Sequence, residues 1–283
     1  MAGGSVEIPG LKSKELFPAI FSRHAAAYQR RLDQIMARGE ARGRQRVIEL
    51  IEAKPGMRVL DIACGPGTLS RHLAAAVRPD GSVVGIDLAP GMIDIARSAA
   101  IPNARFELMD MEELSFPDAS FDAAVCGHGL QFAPHLARAM GEARRVLRSG
   151  SHFAASVPVT PVKESVWALL DGVIDRWLPP PPRAVDQDAT RQMVGDTSAF
   201  KAAALGAGFE SARVEVIDER VVWESAEQLV SLCTSWWDCA ARMDGVPSDK
   251  RRRFIEEATV TLKSQHPGVI ETTGRNHVLF AIA

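Results

Sequence analysis

With 283 residues, 46% of them hydrophobic, 24% charged and a formal net charge of -2, the chain can bury one sizeable core in a domain with an elaboration. It lacks the concentrated positive charge of a nucleic-acid binder, and the short basic run Lys250–Arg253 reads as the solvated face of a mixed-charge helix. No charged segment leads into an apolar run at the start, no window approaches the roughly 18 apolar residues of a membrane span, and the four cysteines have no CxxC spacing. A cytoplasmic protein is expected, with no membrane insertion, no metal and no disulfide framework.

The first fifty residues read mainly as helix: Leu32, Ile35 and Met36, then Val47, Leu50 and Ile51, recur at helical spacing until Pro55-Gly56. Short apolar runs then alternate with helical patterns. Strands are predicted over Met57–Ala63, Ser82–Asp87, Arg105–Met109, Phe121–Cys126 and His152–Val157, with helices over Thr68–Val77, Gly91–Ala99 and Ala133–Leu147. This rhythm implies βαβ units and a mainly parallel sheet, whose ligand crevice lies at the carboxyl ends of the strands. Past Pro158 the pattern changes. Val166–Trp177 is helical, and Leu178 followed by four prolines is a stiff connector. Thr197–Leu205 is a helix, Ala212–Val222 a strand, Ala226–Met243 and Ser248–Lys263 amphipathic helices, and His277–Ile282 a final strand. The expected division is an N-terminal helical segment over 1–54, a core over 55–157, a lid insertion over 158–195, core continuation over 196–223, a helical lid over 224–275 and a last core strand over 276–283.

The strongest signal is the run from Val59 to Ser70, in which a strand enters a loop bearing Gly65 and Gly67 and then a helix. Glycine lets backbone approach a ligand closely, and the helix start offers free N–H groups. A dinucleotide fingerprint wants a third glycine where Ser70 stands. Asp61, just inside the strand, would repel a pyrophosphate but suits a cationic amino-acid ligand. Asp87, about twenty positions further on at the next strand end, can accept hydrogen bonds from ribose hydroxyls.

These residues resemble motif I and the ribose-binding strand end of class I S-adenosylmethionine-dependent methyltransferases. Met109–Glu112, Phe116–Asp122, Glu142–Gly150 and the pattern Phe21, Ala25, Tyr28 extend the likeness over roughly residues 20–157. It is strongest to the ubiquinone/menaquinone-biosynthesis branch. The resemblance implies a Rossmann-like, mainly parallel seven-stranded α/β sheet with helices on both faces, N-terminal helices and a helical lid. It implies S-adenosyl-L-methionine as cofactor. Asp61, Ala63, Cys64, Gly65 and Gly67 would wrap the methionine portion and Asp87 would hold the ribose. Leu88 and Met92 would flank the adenine, Asp110 would accept from its amino group, Met111 would stack on it, and Cys126 would lie nearby. Gln29 departs from the family's frequent aspartate, and Gly150-Ser151 from its usual glycine pair.

Methyl transfer needs the acceptor atom roughly 3 Å from the methyl, opposite the sulfur. The segment after the fourth strand, Cys126–Gln131, should lie there. His128, titrating near neutrality between two glycines, is the candidate base, and Tyr28, the only tyrosine, a second catalytic candidate. Gln131, Trp236 and Trp237, with Tyr28 and His128, are the candidate acceptor contacts. The expected acceptor is a small molecule, apolar or aromatic, with C- or O-methylation favoured over N-methylation. A cofactor-binding enzyme of the same fold that catalyses a cyclisation instead, a nicotinamide oxidoreductase and a noncatalytic partner subunit are the competing readings, and homo-oligomerisation stays open.

Overall fold

The computed structural model describes residues 10–159 and 166–283. Its strands are β1 (Arg58–Ile62), β2 (Ser82–Asp87), β3 (Ala104–Leu108), β4 (Phe121–Gly127), β5 (Leu147–Val159), β6 (Ser211–Trp223) and β7 (Ile270–Ile282). Its helices are α1 (Ser13–Ala37), α2 (Arg42–Leu50), α3 (Thr68–Ala76), α4 (Pro90–Ser98), α5 (Leu136–Val146), α6 (Val166–Trp177), α7 (Asp188–Gly195), α8 (Thr197–Gly206), α9 (Ala226–Cys233), α10 (Trp237–Met243) and α11 (Ser248–Gln265).

The strands form one sheet in the order β3-β2-β1-β4-β5-β7-β6, parallel from β3 to β5, with β7 antiparallel to both β5 and β6. This is the seven-stranded, mainly parallel Rossmann-like α/β architecture that the sequence predicts. Strand β1 is buried over four consecutive residues, as a strand covered on both faces must be. Alternate residues feed opposite layers. Leu60 and Ile62 join Val84, Ile86 and Phe153 beneath α5 and α8, while Val59 joins Val83, Ala123 and Val125 beneath α2 and α3. The chain runs from β1 outward through β2 to β3, then returns to β4 on the other side of β1. The strand order reverses there, and the reversal opens a crevice between the carboxyl ends of β1 and β4.

Strands β6 and β7 pair along their full 13 residues, from Ser211↔Ile282 to Trp223↔Ile270, while among the described residues β5 accompanies β7 as far as Arg275. The remaining ribbon carries a second core. Val166, Leu170 and Ile174 of α6 pack there with Trp223 of β6, Leu229 and Val230 of α9, and Phe254 and Ala258 of α11. Trp223 Nε1 donates to Thr272 Oγ1 at 2.9 Å across the ribbon.

Several elements differ from expectation, among them β5, which starts at Leu147 rather than His152. Strand β7 begins at Ile270 rather than His277, because Ile270 turns into the core of α6, α9 and α11 and Thr272 inward onto Trp223. The single helix expected over Ala226–Met243 is two, α9 and α10: Thr234 and Ser235 hydroxyls donate to Ser231 O (2.8 Å) and Leu232 O (2.7 Å), and Trp236 leaves helical geometry. Helix α5 starts at Leu136, after a single 3-10 turn at Leu130–Phe132. Helix α7 had no sequence expectation.

Candidate active site

The loop leaving β1 is built from left-handed backbone: Ala63 has φ 54°, Gly65 53° and Gly67 79°. At Gly67 a Cβ would stand 3.1 Å from the Phe106 ring, so both conformation and space call for glycine. The loop is tied to the neighbouring strand. Gly65 N–H donates to Asp87 Oδ2 and Ala89 N–H to Asp87 Oδ1, each at 2.9 Å. Burial raises the Asp87 carboxyl above its usual value, while these backbone bonds pull the other way.

Asp61 is 1% exposed. Ser70 Oγ donates to its Oδ2 at 2.6 Å, and Oδ1 is buried without a partner. Burial pushes its pKa up to about 7. The serine at the third-glycine position of a dinucleotide loop is therefore the support of an acid.

A cleft of about 770 Å³ lies along the carboxyl ends of β1, β2 and β4, roofed by α1. Tyr28, Ala63, Gly65, Asp87, Leu88, Met92, Asp110, Met111 and His128 all line it. A smaller space of about 260 Å³ shares Tyr28, Ala63, Gly65 and Gly127 with the cleft, and Asp61, Cys64 and Arg44 line it further. Gly67 sits at the start of α3, outside both spaces, and Cys126 is buried in the sheet core. Gln131 Nε2 donates to His128 O at 2.8 Å. Trp236 lies under the Arg31 guanidinium, 4.4 Å from ring centroid to Cζ. Trp237 opens α10, and its side chain lies outside the described residues.

Three residues that the sequence did not single out complete the site. Arg44 of α2 donates from Nη2 to Tyr28 Oη at 3.0 Å, and its Nε is buried without a partner. Lys14 of α1 bridges Asp110 Oδ2 (2.6 Å) and Glu112 Oε2 (2.7 Å), latching the roof to the loop after β3. Burial opposes the Lys14 charge, but the two carboxylates prevail and raise its pKa. Glu112 also accepts from His135 N–H at 2.7 Å.

His128 has φ 63°, and its N–H donates to Ser156 O at 2.9 Å. The left-handed turn is held from both sides, since a Cβ on Gly129 would come within 2.4 Å of Ala63 Cβ. Burial, and then Arg44, hold the imidazole well below its usual value, so it is neutral near pH 7. Its Nε2 is buried without a partner. Among the described residues no group of His, Cys, Asp and Glu could hold a metal ion, and no helix is long and apolar enough to cross a membrane.

Residues 59–150 match the family description of a methyltransferase domain. A ubiquinone/menaquinone biosynthesis C-methyltransferase of Ectopseudomonas mendocina is 30% identical over 223 residues, 73% of this chain and 86% of the relative. The chain belongs to the S-adenosylmethionine-dependent methyltransferases, in their ubiquinone/menaquinone branch. A 2-phytyl-1,4-naphthoquinone methyltransferase of Synechococcus elongatus is 29% identical over 206 residues, 69% of this methyltransferase and 88% of the relative. An uncharacterised transposon protein of Streptomyces fradiae is 39% identical over 130 residues, a stretch that spans 38% of that protein. Among solved structures, the [4+2]-cyclase SpnF superposes on 97% of the chain, covering 98% of its own, at TM-score 0.53 and 17% identity, which is a likeness of fold.

The chain's own atoms fit the methyltransferase cofactor. S-adenosylmethionine ends in a zwitterion, and the smaller space holds one unsatisfied acidic oxygen, Asp61 Oδ1, and one unsatisfied guanidinium nitrogen, Arg44 Nε. A buried polar atom without a partner is costly, and one of each sign in one space matches a ligand carrying both charges.

Proposed function

We propose that this enzyme transfers a methyl group to carbon of a small, apolar, aromatic acceptor of the hydroquinone type. The observation that carries this reading is the pair of unsatisfied opposite charges, Asp61 and Arg44, in the space adjoining a cleft lined by a neutral His128. The quinone-methylating relatives support carbon as the acceptor atom.

Bound in the cleft, S-adenosylmethionine supplies a sulfonium methyl open to in-line displacement. The chain's residues do the rest. Asp61 takes the ammonium and Arg44 the carboxylate, with Cys64, Gly65 and Gly67 shaping the loop around them. Asp87 accepts from the ribose hydroxyls. Leu88, Met92 and Met111 would pack on the adenine, while Asp110, already held by Lys14, would accept from the adenine amino group. Helix α1 excludes water. His128, uncharged and with a free Nε2, accepts the proton of a ring hydroxyl as the adjacent carbon forms its bond to the methyl. Tyr28 and Gln131 orient the acceptor, and Trp236 shelters its apolar body. A small-molecule acceptor met in the cytoplasm fits this arrangement.

The test is calorimetric titration with S-adenosylhomocysteine on the wild type and Asp87→Ala, followed by turnover with demethylmenaquinol. Micromolar binding lost in the variant, with methylated product and S-adenosylhomocysteine formed one to one, is the expected result. Binding with product but no S-adenosylhomocysteine would instead place the enzyme among cofactor-binding cyclases.

A further inference from the structure

Beyond the cofactor end, a second set of polar atoms lacks partners. It gathers where β4 and β5 end beside the middle of β7, near α1 and α2: His128 Nε2, Ser156 Oγ, Asn276 Oδ1, and Arg31 Nε from one turn past Tyr28. Ser156 is 0% and Asn276 1% exposed. The Asn276 side chain faces His128 and packs against Gly43, where a Cβ would approach it to 2.7 Å. Arg31 lies flat on Trp236, which packs on Trp167 with ring centroids 4.7 Å apart.

The charges here do not balance. Arg31, Arg44 and His128 face one another, each cation working against protonation of the histidine. Among the described residues, neither arginine has a carboxylate within ion-pair distance. Glu219, the acid facing Arg31, is engaged at 2.8 Å by the Gly43 N–H. A guanidinium does not relieve burial by losing its proton, so it needs an anion. If Arg44 takes the cofactor's carboxylate, Arg31 is left over.

We propose that Arg31, with the Ser156 hydroxyl, forms the polar end of the acceptor site beside His128 and Asn276 and receives an anionic oxygen of the acceptor, a carboxylate or an ionised ring hydroxyl. This rests on the methyl-transfer reading and adds to it. The acceptor's charge then fixes which ring carbon faces the methyl.

The test is calorimetry on the full chain saturated with S-adenosylhomocysteine, using two matched pairs of probes. One pair is 2-naphthoate against 2-naphthamide, for the carboxylate. The other is 2,4-dinitro-1-naphtholate against its methyl ether, for the ring oxyanion. The anion of at least one pair is expected to bind about tenfold or more tightly than its neutral partner, as a charge-assisted hydrogen bond allows. That preference is lost in Arg31→Gln and kept in Arg31→Lys, with S-adenosylhomocysteine affinity unchanged in both. Equal binding within both pairs, or a preference that survives Arg31→Gln, overturns the assignment. Failure of S-adenosylhomocysteine to bind the wild type would instead strike the methyl-transfer reading itself.

Discussion

Replacing Asp61 with asparagine should move stability and ligand affinity in opposite directions. Lifting this carboxyl from 3.8 to about 7 disfavours its ionised form by roughly 4 kcal/mol in the ligand-free protein. The folded state therefore binds a proton that the unfolded chain has lost, so this contribution to stability is complete below 3.8 and disappears as pH rises to about 7. At about pH 8, where the acid is ionised and buried, Asp61→Asn removes that burden and should raise stability by about 1–3 kcal/mol, less than the full figure because Ser70 loses a charged acceptor. The ammonium of S-adenosylhomocysteine, however, needs the ionised acid. Its affinity for the wild type should tighten as pH rises through about 7 and then level off. The variant should lose that slope and bind weaker by about 2–3.5 kcal/mol at pH 8, roughly thirty- to three-hundred-fold. Chemical denaturation and calorimetry from pH 6 to 9 measure both arms. A variant less stable at pH 8, with unchanged affinity and pH profile, would show that Asp61 serves only Ser70.

Two further outcomes follow from the site geometry. Lys14→Met keeps the apolar stem but removes two short ion pairs at a partly exposed group; stopped-flow displacement of S-adenosylhomocysteine should show release faster by about fivefold, roughly 1 kcal/mol, and an unchanged rate would mean that the roof closes without the latch. His128→Ala should lower kcat by about a hundredfold or more with cofactor affinity intact, and a fall of less than about tenfold would remove the base role.

The strands around the cleft were legible because each is a short, mostly apolar run, and Asp61 and Asp87 announced themselves by their places at or near strand ends. The residues that finish the site did not. Lys14, Arg31 and Arg44 belong to helices whose periodicity reports only the buried face, and their polar ends reach the site through packing against strands distant in sequence. Glu112 could have been noticed within the Met109–Glu112 motif, but its partner lies 98 positions earlier. Ser70 was visible as a missing glycine, and its hydrogen bond to Asp61 needed the helix to be placed. The break between α9 and α10 escaped for a local reason: Thr234 and Ser235 disturb the helix by bonding backward, without the glycine or proline that marks most breaks. The early start of β7 was hidden by its polar run, since Glu271, Thr273 and Arg275 are outward residues of a ribbon with one face to the core of α6, α9 and α11.

The two hydrophobic cores, beneath the sheet and within α6, α9 and α11, have no buried residue in common. Sequence drift in one is thereby insulated from the other. A substitution such as Leu229→Met can reshape the ground on which Trp236 rests without disturbing the register of β1, β2 and β4, in which the glycine loop and Asp87 are set. Such a chain is free to change what it recognises at one end while what it carries at the other stays the same.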